Sequence, residues 1–275
     1  MRTTSPLRLP VKLVCLAIVS GVASGAWADT VLITGANSGI GLEFAKEYAA
    51  KGWTVIATHR HDEVPASLAE LAGKYANLHA ERLDVTKQEE IHALALKLKG
   101  APIDVLINNA GVVVLGGKDG AWWGNGADSK GQTFGTLNYD EFDVFMRTNV
   151  AGPSRVTEEL LPNVKASRQK KIIAISSSNG AITGKPQCCS LFWYRVSKAA
   201  LNKLMVGIAA TVQKQGVTVV MFNPGPVRVE KQANLQFPGM QATPVVVASM
   251  IKVIDKLTIA DTGRFLAQDG TTEPW

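Results

Sequence analysis

The chain has 275 residues, of which 46% are hydrophobic and 19% are charged, with 25 glycines and 12 prolines. This is a globular composition, and it excludes a disordered chain, a collagen and a coiled coil. The formal net charge is +6, and half of that excess lies within the first 12 residues, so the remaining balance is too small to indicate nucleic-acid binding. The three cysteines are too few for a disulfide framework, and no spacing of Cys and His suggests a metal site.

Residues 1–28 have the three-part layout of a secretory signal peptide. A basic start precedes an uncharged, largely apolar stretch that ends in Ala26-Trp27-Ala28, with small residues at the two positions that a signal peptidase reads. We therefore expect export, as to a periplasm, with cleavage after Ala28. The uncharged run from Leu13 to Ala28 is 16 residues long, which is short for a membrane span of about 20. A membrane tether, or a misassigned start codon on a cytoplasmic protein, remains the alternative.

From residue 29 onward, short apolar or β-branched runs alternate with segments of helical spacing. The predicted strands are 30–34, 53–58, 78–83, 103–107, 171–176, 217–222 and 264–267. The predicted helices are 39–51, 64–75, 87–99, 139–168 (interrupted by Pro153 and Pro162), 194–213 and 244–257. Strands separated by helices pair in parallel through right-handed crossovers. The sequence therefore predicts an α/β, doubly wound parallel sheet with helices on both faces, and no linker divides residues 29–275.

A glycine-rich turn, Thr34-Gly35-Ala36-Asn37-Ser38-Gly39-Ile40-Gly41, lies directly between the first strand and the first helix. Glycines at such a place allow a tight turn, and they let a pyrophosphate approach the N–H groups at the start of the helix. Glycines also serve ordinary helix–strand packing, so the motif gains its meaning from its position. Its spacing is TGxxxGxG rather than GxGxxG.

This spacing resembles the short-chain dehydrogenase/reductase family in its non-extended branch, and six further motifs occur in the family's order. They are Asp84-Val85, Asn108-Asn109-Ala110-Gly111, Asn149, Ile175-Ser176-Ser177, the YxxxK pattern from Tyr194 to Lys198, and Asn223-Pro224-Gly225. The segments 194–202 and 263–275 are similar to the C-factor and sniffer-like carbonyl reductases. The resemblance implies a Rossmann-type fold, a single dinucleotide-binding oxidoreductase domain over residues 29–275, and a homo-dimer or tetramer.

The resemblance also implies catalytic roles. Tyr194 would give or take the substrate proton, Lys198 would tune Tyr194 and bind the nicotinamide ribose, and Ser177 would hydrogen-bond the substrate oxygen. Asn149 would hold a water that relays protons to Lys198, or its side chain would simply bond to helix backbone. Ser176 is the alternative to Ser177 for the contact with the substrate oxygen. Tyr194 and Lys198 are four positions apart, so they share a helix face, and a nearby ammonium lowers a tyrosine pKa from about 10.

The cofactor-binding residues implied by the resemblance lie at strand ends. They are Gly35, Ser38, Gly39, Ile40, Gly41, Arg60, Asp84, Val85, Asn108, Asn109, Ala110, Gly111, Tyr194, Lys198, Pro224, Gly225 and Val227. Asn108 and Asn109 would equally well brace the sheet. His59 stands where NAD-specific folds place an acid, and the following Arg60 suits a 2′-phosphate through its charge and planar fork. We therefore expect NADP rather than NAD, with a solvated loop charge as the alternative interpretation of Arg60.

The chain departs from the family pattern in three places. Ser177 and Tyr194 are separated by 17 positions (177 to 194), Val229 stands where the family usually has Thr, and the stretch from Val112 to Gly135 is long. Trp122 and Trp123 in that stretch would form a substrate wall, or else a surface flap or a subunit contact. The adjacent Cys188 and Cys189, just before Tyr194, are either two small loop residues or a strained disulfide whose oxidation reshapes the site.

These features together predict an NADP-dependent oxidoreductase that reduces the carbonyl of a small molecule to an alcohol. Phe192 and Trp193 would suit a substrate with an apolar body, or they would belong to the core. The alternatives are an NAD-dependent alcohol dehydrogenase and a cofactor-binding sensor or scaffold without turnover. A sensor of this kind tends to lose the catalytic Tyr or Lys, and this chain keeps both.

Overall fold

The computed structural model describes residues 28–113, 130–183, 190–229 and 239–275. The leader up to Trp27, the tryptophans Trp122 and Trp123, and the pair Cys188 and Cys189 lie outside the described residues. The hypotheses that concern them therefore stay predictions.

The strands are short and, apart from β3, β7 and β8, largely buried. Their bounds are β1 (Thr30–Ile33), β2 (Thr54–His59), β3 (Leu78–Arg82), β4 (Val105–Asn108), β5 (Lys171–Ile175), β6 (Thr218–Asn223), β7 (Val227–Arg228), β8 (Gln241–Ala242) and β9 (Phe265–Ala267). Seven of them form one sheet in the order β3-β2-β1-β4-β5-β6-β9, and every pairing in it is parallel. The predicted doubly wound parallel sheet is confirmed.

Helices connect the strands, as parallel pairing requires. They are α1 (Gly39–Ala50), α2 (Ala66–Lys74), α3 (Gln88–Lys97), α4 (Tyr139–Met146), α5 (Gly152–Ala166), α6 (Phe192–Val212) and α7 (Thr243–Lys256). Short 3-10 turns occur at Lys130–Gln132, Ser178–Gly180, Gln213–Gln215 and Ile259–Asp261.

The helices cover both faces of the sheet because strand side chains alternate between the faces. In β1, Val31 and Ile33 pack with the buried side chains of α1, α2 and α7. Leu32 points the other way and packs with those of α3, α5 and α6. All three side chains are fully buried, which explains why the strand is a continuous apolar run rather than an alternating one.

The order of the strands creates a crevice at the carboxyl ends of β1 and β4. The chain winds outward from β1 to β3 and then crosses back to β4 on the other side of β1. Open α/β sheets bind ligands at such a switch point. The glycine-rich turn after β1 and the segment from Asn109 onward after β4 lie there, with the end of β5 beside them.

The long helix predicted over 139–168 differs in detail. A π-helical segment, Arg147–Ala151, separates α4 from α5, and Pro153 stands in the first turn of α5, where proline breaks no helical hydrogen bond. Pro162 does not interrupt the helix, which continues to Ala166 because Leu160 and Val164 beside it are buried against the sheet. The two-residue pairing of β7 with β8 was not predicted, since pairs this short carry no periodic signal.

Candidate active site

The turn after β1 has the shape that a bound phosphate requires. Gly35 and Gly39 adopt φ values of +65° and +55°, which only glycine reaches without strain. A Cβ on Gly41 would lie 2.4 Å from the Gly35 carbonyl oxygen, so this position also excludes a side chain. Ser38 is the N-cap of α1, yet its side chain makes no capping bond. The N–H groups around Ile40 at the start of α1 are therefore directed at the crevice without a side-chain cap, as in anion sites at helix N-termini.

Asparagine side chains fix the end of β4 to α5 and the segment after β4 to this turn. Asn109 Nδ2 donates to the Thr34 and Gly35 carbonyl oxygens at 2.9 and 3.0 Å. Asn108 Nδ2 donates to Thr157 Oγ1 at 3.0 Å. Both side chains therefore brace the sheet, and a contact of these two residues with a cofactor would come from their main chain. A Cβ on Gly35 would come within 2.9 Å of the Ala110 Cα, so the two loops touch.

Tyr194 and Lys198 lie one turn apart on α6 and are buried in this crevice. Lys198 Nζ is 5.7 Å from the centre of the Tyr194 ring and donates to the Ile175 carbonyl oxygen at 2.8 Å. Burial lowers the pKa of Lys198 to about 8. Burial also raises the pKa of Tyr194, against the opposite influence of a hydrogen bond with the Ser177 side chain. A raised pKa favours the protonated phenol of Tyr194 at neutral pH.

The structure brings Ser177, rather than Ser176, to Tyr194. Ser176 Oγ donates to Asn202 Oδ1 at 2.6 Å in the buried interior, whereas Ser177 bonds to the phenol. The geometry favours Ser177 for the predicted contact with a substrate oxygen.

Asn149 lies in the π-helical segment and connects it to two other elements. Its Nδ2 donates to the Val112 carbonyl oxygen and to Ser197 Oγ, each at 2.9 Å, and its Oδ1 accepts from the Val112 N–H at 2.8 Å. Both amide protons are thus used, and the main-chain partner belongs to the loop after β4 rather than to the helix itself. A π-helical turn is a frequent feature of functional sites because it redirects one side chain out of the regular helical order.

The ends of β2 and β3 form the outer part of the crevice. His59 is 2% exposed and, within the described residues, its Nδ1 is buried without a hydrogen-bond partner. Burial is the main reason for its lowered pKa. The charge of the nearby His61 acts in the same direction, and a hydrogen bond with the His61 main chain acts against it. Burial would raise the pKa of Asp84, but hydrogen bonds from Thr86, helped by the nearby Lys87 and Arg60, lower it on balance. Asp84 is therefore an ionised carboxylate close to Arg60.

The turn after β6 closes the crevice from the other side. Gly225 has a φ of +71°, and its N–H donates to Asn223 Oδ1 at 3.1 Å. Asn223 Nδ2 in turn donates to Glu273 Oε1 at 2.7 Å. Val227 belongs to β7, and Val229 lies against Gly39, where a Cβ would meet it at 3.2 Å. Val229 thus makes an apolar contact at the start of α1, where the family's Thr would offer a hydroxyl.

The comparisons with known proteins agree with this geometry. The pattern that defines the short chain dehydrogenases matches residues 29–237. The 1-hydroxy-2-glutathionyl-2-methyl-3-butene dehydrogenase of Rhodococcus sp. is 30% identical over 90% of this chain and 100% of its own. The chain belongs to the short-chain dehydrogenase family.

Two solved structures show the same architecture. The NADPH-bound carbonyl reductase from chicken fatty liver is 30% identical, with a TM-score of 0.78 over 90% of this chain and 99% of its own. The carbonyl reductase Sniffer of D. melanogaster has a TM-score of 0.76 over 90% of this chain and 100% of its own, and at 24% identity it shows the fold alone. This short-chain dehydrogenase is accordingly an oxidoreductase with a Rossmann-type sheet.

The residues of this short-chain dehydrogenase fit a dinucleotide. The positive-φ turn and the helix N-terminus suit a pyrophosphate. At the end of β2, Thr58 Oγ1 and His59 Nδ1 are buried polar atoms without a hydrogen-bond partner among the residues that the structure describes. A Cβ on Gly111 would approach Lys198 Nζ to 3.7 Å, so the bare glycine leaves room beside the lysine. Across the described ranges, which omit 1–27, 114–129, 184–189 and 230–238, no helix is long and apolar enough to cross a bilayer, and no cluster of three His, Cys, Asp or Glu could hold a metal.

Two residues of the site were not identified from the sequence. A Cβ on Gly180 would lie 2.7 Å from the main-chain carbonyl carbon of Lys198, so this glycine lets the turn after β5 pack directly on α6. Gln132 is fully buried and bonds to the main chain of Tyr194 and Val113. Neither carried a local signal, because each lies in a short polar stretch with no periodicity.

Proposed function

We propose that this short-chain dehydrogenase is an NADP(H)-dependent carbonyl reductase. The observation that carries the proposal is the buried group of Tyr194, Ser177 and Lys198 at the switch point of the sheet, beside a turn shaped for a pyrophosphate. When bound, the nicotinamide supplies a hydride to the carbonyl carbon.

Tyr194 then gives its hydroxyl proton to the carbonyl oxygen, so that the carbonyl gains one hydride and one proton and becomes an alcohol. Ser177 holds the same oxygen by a hydrogen bond. The raised pKa of Tyr194 keeps the phenol protonated before the reaction, which suits a general acid. The cationic form of Lys198 stabilises the phenolate that remains, because an opposite charge nearby favours the ionised tyrosine.

The preference for NADP(H) rests on the end of β2. Arg60 follows the buried His59, and its charge helps to lower the pKa of Asp84. A positive charge therefore lies at the end of β2, where we propose that the adenosine ribose binds. The nearest carboxylate along the chain, Asp62, is paired with Arg82 at 2.9 Å. The NADPH named with the chicken carbonyl reductase supports the same choice.

An NAD-dependent alcohol dehydrogenase is the second candidate, because the Rhodococcus relative is named as a dehydrogenase. The chemistry is the reverse, with Tyr194 as phenolate accepting the alcohol proton. We also propose that the substrate is a small molecule, that the protein is a homo-dimer or tetramer, and that it is exported after cleavage behind Ala28.

A screen of NADPH and NADH oxidation over aldehydes and ketones tests the proposal. We expect turnover with NADPH in the full chain, and loss of turnover in Tyr194→Phe with unchanged NADPH binding and thermal unfolding. The variant removes one oxygen and keeps the ring packing, and general acid catalysis contributes about 10²–10⁴-fold. If Tyr194→Phe kept more than about a tenth of kcat, Tyr194 would not be the acid.

A further inference from the structure

Gln132 joins two segments that border the catalytic tyrosine. It lies at the end of the 3-10 turn Lys130–Gln132 and is fully buried. Its Nε2 donates to the Val113 carbonyl oxygen at 2.8 Å, and its Oε1 accepts from the main-chain N–H of Tyr194 at 3.0 Å. A buried amide with a partner for each end is costly to disturb, because either partner would be left without a hydrogen bond.

The Tyr194 N–H needs such a partner because of its position in the helix. Tyr194 is the third residue of α6, and N–H groups in the first turn have no acceptor within their own helix. The N-cap residue is normally the one that supplies an oxygen. Here the N-cap is Leu191, which has an apolar side chain and makes no capping bond. Gln132 provides the missing acceptor from a distant part of the chain.

The carbonyl group of Tyr194 is held from the opposite direction. Ser197 Oγ donates to the Tyr194 carbonyl oxygen at 2.7 Å and accepts from Asn149 Nδ2 at 2.9 Å. Asn149 in turn holds both main-chain groups of Val112, the neighbour of Val113. The contacts therefore form a closed ring that starts and ends at the main chain of Tyr194.

We propose that Gln132 is a positioning residue for Tyr194, and that with Asn149 and Ser197 it closes this ring to fix the tyrosine for proton transfer. The ring also fixes Val112 and Val113 beside Gly111, on the nicotinamide side of the crevice. The inference rests on the proposed function. Its physical basis is that a displacement of about 1 Å can cost about 100-fold in rate.

The first variant is Gln132→Met, which keeps the approximate volume and removes both hydrogen bonds. We expect kcat with NADPH to fall by about tenfold or more, while the dissociation constant for NADPH changes by less than about threefold. A residue that only stabilises the fold would lower the unfolding temperature without this selective loss of kcat.

Asn163→Leu is the matched control. Asn163 is also a buried amide that joins two segments, since its Nδ2 donates to the carbonyl oxygens of Leu98 and Ala101 at 2.6 and 2.8 Å. It lies near the end of α5, where its carbonyl oxygen accepts from the N–H of Ile103 at 3.1 Å. Ile103 precedes β4, so this contact is at the edge of the sheet away from the crevice. We expect this variant to lose stability to an extent similar to Gln132→Met and to keep the kcat of the parent.

Ser197→Ala opens the ring on its other side with a smaller change of side chain. If Gln132→Met does not fold, Ser197→Ala tests whether the ring positions Tyr194. We expect a lower kcat with NADPH affinity preserved. In the double variant that combines Gln132→Met with Ser197→Ala, the fold-loss of kcat should be smaller than the product of the two single fold-losses. The second substitution would act on a ring that is already open. Independent, multiplicative effects would contradict a closed ring.

Hydrogen exchange supplies a measurement that does not depend on turnover. The Tyr194 amide should exchange faster in Gln132→Met than in the parent or in Asn163→Leu, because local opening no longer has to break its hydrogen bond. If the Tyr194 amide exchanged at the same rate in Gln132→Met as in the parent, the ring of contacts would be overturned. If kcat were unchanged in Gln132→Met, or fell equally in Asn163→Leu, the positioning role of Gln132 would be overturned. A parent that reduces no carbonyl in the screen would instead overturn the proposed function and with it the catalytic part, while the exchange experiment still tests the contacts.

Discussion

Lys198 is a cation whose burial works against the stability of the protein. Burial lowers its pKa from 10.5 to about 8, so between these two pH values the unfolded chain binds a proton that the folded chain does not. Stability therefore rises with pH across this window, and below about pH 8 the whole cost of burying the charge is present. A shift of this size corresponds to roughly 3 kcal/mol.

We predict that Lys198→Met unfolds at a higher urea concentration than the parent at pH 7, and that the difference shrinks as the pH approaches 10.5. The variant removes the buried charge and keeps most of the apolar stem. Lys203→Met, at an exposed position of the same helix, is the control and should follow the parent at each pH. A constant difference between Lys198→Met and the parent from pH 7 to 10.5 would show that the lysine is not destabilised by burial.

Arg60 carries the proposed choice of cofactor. A charge-assisted contact with a phosphate is worth about 1.5–3 kcal/mol, or at least about tenfold in affinity. We predict that the parent binds NADPH more tightly than NADH in a fluorescence titration, and that the ratio of the two affinities falls by at least about tenfold in Arg60→Ala. Arg168→Ala makes the same change of charge near Asp29, at the opposite edge of the sheet, and should leave this ratio unchanged. Equal affinities in the parent would mean that Arg60 does not bind the 2′-phosphate.

Among the elements, the segment after β9 has the least expected position. Glu273 accepts from Asn223, whose own oxygen holds the Gly225 N–H. Two residues on, the main-chain oxygen of Trp275 accepts from Thr183, close to the 3-10 turn that follows Ser177. The segment thus contacts both the turn after β6 and the region after β5, which border the crevice.

We predict that Glu273→Ala weakens NADPH binding by about tenfold, the effect of one charge-assisted hydrogen bond, because Asn223 is no longer oriented toward Gly225. Glu273→Gln keeps an oxygen that accepts from Asn223 and should restore most of the affinity. Titration of NADPH against the parent and both variants distinguishes orientation from charge. If Glu273→Gln bound as weakly as Glu273→Ala, the negative charge and not the hydrogen bond would matter.

The elements that the sequence predicted are those with strong local patterns. Apolar runs such as 171–176 and long periodic helices such as 194–213 were placed to within two residues at each end. The π-helical segment around Asn149 and the pairing of β7 with β8 were not, since both depend on contacts between distant parts of the chain. The same holds inside the site, where Tyr194 and Lys198 follow from spacing on one helix, whereas Gln132 reaches Tyr194 across 62 positions.

At the scale of the whole molecule, the parallel sheet separates its two edges by function. The seven strands of the main sheet all point the same way. The loops at their carboxyl ends therefore lie at one edge of the sheet and line the crevice. The opposite edge carries the start of the domain. There Asp29 accepts from Gln169 Nε2 at 3.0 Å, pairs with Arg168, and accepts from the Thr54 N–H through its carbonyl oxygen at 2.9 Å.

This arrangement leads to a prediction about residues 1–28. Because Asp29 is held at the edge away from the crevice, removal of the residues before it should leave the site unchanged. We predict the same kcat/KM and NADPH affinity, within about twofold, for the full chain and for a form that begins at Asp29. A loss of affinity in the shorter form would show that the leader contributes to the domain.

Mass spectrometry of the native protein then tests the proposed export. We expect a mature N-terminus at Asp29 in an extracytoplasmic fraction, as the small residues before the cleavage position indicate. NADPH is produced inside cells, so an exported enzyme would need to carry its cofactor with it, and the purified native protein should contain bound nucleotide. An intact Met1 in the membrane or cytoplasmic fraction would contradict export, and it would place the catalytic domain where NADPH is made.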